Sequence, residues 1–451
     1  VTAQINATGT IASRALGIPF EAGVWVGLIS ILICSMLGGM RAVTWTQVAQ
    51  YIVLIVAYLI PVFWISSKVG GGVFPHLMLG DEVARLGELE QQFGLVKNSA
   101  ADMKAAGVPG GLKYISGTHS GVPEGGMAVW KYLSLAICMM VGTASLPHIL
   151  MRYFTTPSVR AARKSVAWSL FFIFLLYSSA PMLATLSKLA LMDPNLPTGI
   201  IGKSISDVQS IEWVQRWSEV KQVFIADFNG DGILQLNEWF MRGDVVVLAT
   251  PEVAGLPFVI SGLVFAGGMA AAMSTADGLV LAISNALSHD IYYKIIDPKA
   301  DTRKRLLVAR VLLVIIGAAG AYIASFRLTS ILGSVAWAFD FAMSGLFFPL
   351  VLGVWWKRAT REGAIAGIVT GILSGLFYLL WVYPKFSVPI FGGVNEPFLG
   401  IDHLRFGLIG APICLVVMVV VSLMTKEPSP TTQKMVDDLR IPTGKPILGK
   451  Q

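Results

Sequence analysis

This sequence predicts an all-α protein that threads a membrane many times, and three observations carry the prediction. Hydrophobic residues make up 55% of the chain and charged ones only 14%, with a mean hydropathy of +0.68. Soluble domains carry about 25% charged residues. The apolar residues fall in long runs, many of them long enough to cross a hydrocarbon core about 30 Å thick. Lys and Arg gather between these runs, in alternate loops. That distribution makes the lipid bilayer the partner and argues against nucleic acid, despite a net charge of +7. Cys34, Cys138 and Cys414 all lie inside apolar runs with no pairing or metal spacing, as small core residues do.

Nine apolar spans follow in order, at 20–37, 45–66, 128–153, 166–191, 262–292, 306–325, 330–356, 363–383 and 406–424. The stretch 38–47 between the first two reads as a tight turn carrying one cation, Arg41. Pro147 interrupts the third span and frees carbonyls there, and Pro181 kinks the fourth. Gly363, Gly367, Gly371 and Gly375 recur every fourth residue and make a close-packing face. The polar stretch 67–127 is an outside loop whose His76 and His119 are weak signals. Basic loops at 152–164, 294–305 and 357–361, and the tail, are cytoplasmic by the positive-inside rule; 67–127, 192–250 and 384–405 are then outside. The chain so divides into a first transmembrane part at 1–191, an extracellular or periplasmic insert at 192–250, a second transmembrane part at 251–424 and a cytoplasmic tail at 425–451. It is a multi-pass protein of the plasma or inner membrane. No signal peptide opens it, and the start at Val1 reads like the end of a helix already under way.

The span at 262–292 has no proline and an unusual centre. Gly267, Ala271, Ser274, Thr275, Gly278 and Ala282 recur at three- and four-residue steps and share one helix face. Small residues there let a neighbouring backbone approach. The Ser274 and Thr275 hydroxyls and the Ala271 carbonyl offer hard oxygens at mid-membrane depth, suited to an alkali cation. The alternative from the residues alone is that both hydroxyls bond back to a carbonyl one turn earlier. Asp277 and Asp340 are intramembrane acids that either titrate, meet a cation or bond to another helix, and His148 is either a proton relay or a structural residue.

One soluble motif stands out. Residues 227–238 place Asp227, Asn229, Asp231 and Glu238 at positions one, three, five and twelve of a calcium loop, with the Ile233 carbonyl at seven, Gly232 at the sharp turn and Leu234 as apolar anchor. The preceding 205–226 has helical periodicity. A structural calcium ion is the expected cofactor of this loop.

GGMAAAMSTADG at 267–278, followed by SNALSHDIY, resembles the eighth core helix of the sodium:solute symporter family. There an Ala-x-x-Ser-Ser/Thr segment supplies half of the main sodium site. The resemblance implies the Ala271 carbonyl and the Ser274 and Thr275 hydroxyls as ligands of a co-transported sodium ion. GGMRAVTWTQVAQ at 38–50 is similar to a second family signature, but Gln47 stands where several members carry the Asp of a second cation or proton site. LPHILMRYFT at 146–155 resembles a third element, with Pro147, His148 and Arg152 in place. Met139, Thr143 and Pro147 then fall at substrate-contacting positions without the bulky aromatics of the proline carriers, which implies a small solute. The nearest likeness within the family is to the acetate and short-monocarboxylate permeases.

What the resemblance implies is a LeuT-like inverted-repeat fold whose first core helices are absent from this chain. Its implied function is sodium-coupled import of a small organic anion such as acetate. A proline-like sodium:amino-acid symporter and a sensory receptor retaining the transporter fold are the alternatives, and a small membrane subunit is an open possibility as partner. No nucleophile–base pair in the spans points to an enzyme.

Overall fold

The computed structural model describes residues 1–70, 72–93, 100–108, 113–114, 126–153 and 156–438. His119, Phe154, Thr155 and the tail beyond Asp438 lie outside the described residues, as do the side chains of Arg41 and Arg152. The helices that bear on function, numbered in chain order, are α1 (Thr2–Leu16), α2 (Phe20–Val69), α3 (Gly126–Ala144), α4 (Pro147–Tyr153), α5 (Val159–Met192), α6 (Phe258–Asn285), α7 (Thr302–Ser325), α8 (Ile331–Gly345), α9 (Phe347–Trp355), α10 (Arg361–Val382) and α11 (Gly407–Met424). The chain forms two compact units, one of Val1–Val122 with Leu170–Ile331 and one of Pro123–Ser169 with Leu332–Gln451.

Among the described residues seven helices are long and apolar enough to cross a membrane, or eight if the bent pair Thr2–Leu16 and Phe20–Met36 is one span. Two expected features differ from the reading of nine spans. The turn at 38–47 is not there: α2 runs helical for 50 residues, through Gly38 and Gly39. Glycine weakens a helix but keeps its N–H donor, and no proline precedes Pro61 to remove one. The third span is cut short where Pro147 ends α3 and starts α4, with Ser145 and Leu146 turning through bonds to Gly142 and Thr143 carbonyls. Pro181, by contrast, sits inside the continuous α5.

The break between α1 and α2 has a clear cause. Gly17 takes a left-handed φ of 65° that closes α1 on the Ser13 carbonyl, and Pro19 then starts α2, so the chain bends by 113°. In the same unit α6 packs on α1, α2 and α7. Its stripe of small residues permits this: a Cβ at Gly267 would lie 2.5 Å from Ala57 Cβ. α6 continues into a π-helix, Ala286–Ile296, a rare conformation in any fold.

The stretch after α5 folds on the same unit. The helical reading of 205–226 is corrected to two short helices, Ile205–Ser210 and Glu212–Glu219, then the strand Val223–Ile225. Extended backbone at Ile211 and a positive φ at Lys221 break the pattern. The strand pairs antiparallel with Trp239–Met241, which in turn pairs with Lys113–Tyr114. Trp217, Leu234 and Trp239 are fully buried beneath it, with Leu234 in the anchor role expected of it.

The second unit is built on the glycine face of α10. A Cβ on Gly363 would meet Ser422 Oγ at 2.0 Å, on Gly367 Met418 Cβ at 2.8 Å, and on Gly371 the Ser344 carbonyl oxygen at 2.1 Å. α10 therefore lies flush on α11 and α8. Gly371→Val should lower the thermal midpoint, since overpacking costs about 1–3 kcal/mol. Gly353→Ala, with nothing within 4 Å of the added Cβ, should leave it unchanged or raise it. Equal midpoints for both variants, in detergent-solubilised protein, would refute the packing argument.

Candidate functional site

The oxygens expected to meet a cation are brought together on α6. Ser274 Oγ donates to the Ala271 carbonyl at 3.0 Å and Thr275 Oγ1 to the same oxygen at 3.4 Å. In this arrangement both hydroxyls make the back-bond that the residues alone allowed. Their lone pairs still converge near one carbonyl, and rotating two hydroxyl protons is all that separates back-bonding from presenting three oxygens outward. Gln47 of α2 reaches this turn as well, its Nε2 donating to the Ser274 carbonyl at 2.6 Å. A cavity of about 350 Å³ opens beside it, lined by Leu54, Ala57, Tyr58, Tyr177, Val264 and Ala271 among others.

Asp277 faces away from solvent altogether, with 0% of its surface exposed. Ser35 of α2 donates to its Oδ1 at 2.7 Å, while Oδ2 has no hydrogen-bond partner among the described residues. Ser35 went unnoticed in the sequence because a lone serine among Ile, Leu and Met carries no periodic signal. Between them Gln47 and Ser35 tie α2 to α6 at two polar points, close to the three oxygens.

In the second unit Met139, Thr143 and Pro147 sit four residues apart, the first half-buried and the other two exposed on their unit. Thr143 Oγ1 donates to the Met139 carbonyl at 2.6 Å. Gly142 beside it has no room for a side chain: a Cβ would lie 2.5 Å from the Phe339 carbonyl oxygen of α8. His148 is half-buried in the first turn of α4. Asp340 is fully buried in α8, and neither of its oxygens accepts a well-formed hydrogen bond among the described residues.

The acidic loop closes on itself. Asp227 accepts from Gly230 N–H at 2.7 Å and Gly232 N–H at 3.1 Å, Asn229 from Asp231 N–H at 3.1 Å, and Asp231 from Ile233 N–H at 2.8 Å. Buried Glu238 accepts from Phe228 N–H at 2.8 Å and Gln235 N–H at 3.0 Å. Gly230 and Gly232 take φ of 74° and 70°, which only glycine adopts without strain. The Ile233 N–H holds the Asp231 carboxyl below its ordinary range, with help from the Asn229 and Gln235 side chains. The donor set is all hard oxygen, as calcium prefers. Among the described residues, however, no three His, Cys, Asp or Glu side chains are grouped closely enough to hold a metal. An ion would have to draw these carboxylates together.

Sequence reasoning also missed a polar knot. Arg14 at the end of α1 pairs with Glu252 at 2.8 Å, and the other oxygen of Glu252 accepts from Trp217 Nε1 at 2.6 Å. The Arg14 guanidinium lies 5.1 Å from the Trp217 ring and 5.9 Å from that of Phe265 on α6. No local motif could reveal residues so far apart in sequence.

Residues 1–197 and 245–371 match the profile of the sodium:solute symporter family. The chain is 37% identical to an uncharacterized symporter of Cupriavidus necator, over 98% of this chain and 74% of that protein. It is 25% identical to the monocarboxylic acid transporter of Corynebacterium glutamicum, over 92% of this chain and 66% of the relative. An uncharacterized symporter of Bacillus subtilis is 24% identical, over 91% of this chain and 68% of its own length. Among solved structures, a substrate-bound, outward-open Na+-coupled sialic acid symporter superposes with a TM-score of 0.57 at 15% identity, over 95% of this chain and 72% of its own. That likeness establishes the LeuT-like fold and nothing about what is carried.

Proposed function

The chain belongs to the sodium:solute symporter family, and from that premise we propose that it is a sodium-coupled symporter importing a short monocarboxylate such as acetate. The observation that carries the sodium reading is that Ser274 Oγ and Thr275 Oγ1 both lie within 3.4 Å of the Ala271 carbonyl oxygen. A cation approaching this turn replaces two donated protons with direct contacts to oxygens already in place. Sodium and its solute are both cargo, and in this fold alternating access exposes a midplane site first to one side and then to the other.

The solute assignment rests on two supports. One is the similarity to a monocarboxylic acid transporter. The other is that the residues assigned to substrate contact, Met139, Thr143 and Pro147, include no large ring, so a two- or three-carbon acid leaves little void. We assign any proton or second-ion coupling to Asp277, Asp340 and His148. By the positive-inside rule we read the basic loops at 294–305 and 357–361 and the C-terminal tail as cytoplasmic and the 192–250 insert as outside. On that side calcium is abundant, and we read Asp227, Asn229, Asp231, Ile233 and Glu238 as its ligands.

Ser274→Ala or Thr275→Ala should raise the sodium concentration for half-maximal uptake roughly tenfold, since a ligand lost from a desolvated site costs about 1–3 kcal/mol. Wild-type sodium dependence in both variants would sink the site assignment.

Competition in proteoliposomes decides the solute. Unlabelled acetate or propionate should block uptake of labelled acetate, and Thr143→Trp should abolish it at normal expression. If proline competes and acetate does not, the amino-acid reading replaces this one.

Calcium should raise the wild-type thermal midpoint above that in chelator, through a stabilisation of about 2.7 kcal/mol at one hundred times its dissociation constant. Glu238→Gln should erase the difference, and equal wild-type midpoints would end the calcium reading.

A further inference from the structure

We infer that Asp340 is a proton-binding site that loads and unloads during transport, with Arg405 as the counter-charge that receives its carboxylate once the proton has left. This rests on the transporter reading above and names the coupling ion for one residue of it.

The starting point is a carboxyl group held wholly out of solvent. Asp340 has 0% of its surface exposed, and neither carboxyl oxygen takes a well-formed hydrogen bond among the described residues. Ser344, one turn on, donates instead to the Asp340 backbone carbonyl at 2.7 Å. Every element around it has been drawn close. Gly407 opens α11 against it with no side chain, and a Cβ there would lie 2.8 Å from Asp340 Oδ1. The Cys138 thiol faces the carboxyl from α3, and the N–H groups of Phe406 and Gly407 point toward it from α11. None of these is a cation. A buried carboxylate without one would carry a desolvation penalty of several kcal/mol. In the proposed cycle this arrangement is the proton-loaded one.

The titratable and charged groups nearby come from each packed element. α3 supplies Cys138, and also Lys131, whose carbonyl accepts from Arg405 at 3.0 Å. α10 supplies Tyr378, whose hydroxyl donates to the Ile401 carbonyl at 2.8 Å. The segment leading into α11 supplies Asp402, His403 and Arg405. His403 Nδ1 accepts from Trp337 of α8 at 3.2 Å. Arg405, only 4% exposed, is ion-paired with Asp402. Its guanidinium lies one residue before Phe406, buried and paired with Asp402. Its five N–H donors suffice for two carboxylates.

The exchange balances simply. The Asp340 O–H bond breaks, the proton passes to water, and the carboxylate left behind gains Arg405 by rotation of that side chain away from the Lys131 carbonyl. No redox partner is involved. Protonation thus decides whether α8 is held to the start of α11 by packing alone or by an ion pair. A purely structural aspartate would be expected to hold well-formed hydrogen bonds; the Cys138 thiol and the Phe406 and Gly407 N–H groups approach this one without completing any.

The test uses the whole chain in lipid nanodiscs and infrared absorption of the protonated carboxyl group. The wild type should show a buried-acid C=O band that disappears as pH rises and changes when sodium is added. Asp340→Asn should remove that band, and Asp340→Glu should restore it at a shifted position. Asp340→Asn should also melt at or above the wild-type temperature, whereas a structural carboxyl would cost stability. In proteoliposomes with labelled acetate and a fixed sodium gradient, the variant should lose the pH dependence of uptake, while Arg405→Lys should shift it. A band untouched by Asp340→Asn, or one indifferent to sodium, overturns the proposal. If the wild type takes up no acetate, the monocarboxylate reading fails, and the infrared result still decides Asp340.

Discussion

Water is scarce in the core of a bilayer, so a polar group placed there must find its partner within the protein. That constraint organises the membrane helices of this chain. Ser274 and Thr275 bond to Ala271, Thr143 to Met139, and Thr370 to Ala366, each one turn back along its own helix. Other side chains reach a neighbouring helix, as Gln47 does to the Ser274 carbonyl and Ser35 to the Asp277 carboxyl. The same economy explains why a transport site can be assembled here at little cost. A hydroxyl spending its proton on a carbonyl is already satisfied, and it can be turned to a passing cation without leaving either oxygen stranded.

Such bonds need helices that touch, and glycine supplies the contact. On α10 the four-residue glycine spacing sets α11 and α8 directly against the backbone, and on α6 Gly267 does the same for Ala57 of α2. Close packing and partnered side chains depend on each other. Close backbones exclude water and make unpartnered groups costly, and short partnered side chains let the backbones stay close.

Much of this could be read from the amino-acid order, because membrane helices announce themselves in one dimension. The apolar runs, the glycine face of α10, the small-residue stripe of α6 and the acidic loop with Leu234 at its anchor were all visible as periodic or fixed-spacing patterns. What stayed hidden required three dimensions. Ser35 meets Asp277 across 242 positions and Arg14 meets Glu252 across 238, distances over which no window of sequence carries information. Two local readings failed for local reasons: Gly38–Gly39 looked like a turn but keeps both N–H donors and stays helical, and the pattern at 205–226 hid an extended residue at Ile211. Pro147 was legible as a break, but its length of influence was not, and it divides one expected span into α3 and α4.

The knot of Arg14, Glu252, Trp217 and Phe265 has one more implication. It joins the last turn of α1 and the flank of α6 to Trp217, which belongs to the short helix Glu212–Glu219 rather than to any membrane-length element. The short helix Glu212–Glu219 is thus coupled to the helix bearing Ser274 and Thr275 through one buried ion pair and two ring faces, not through the lipid-facing surface.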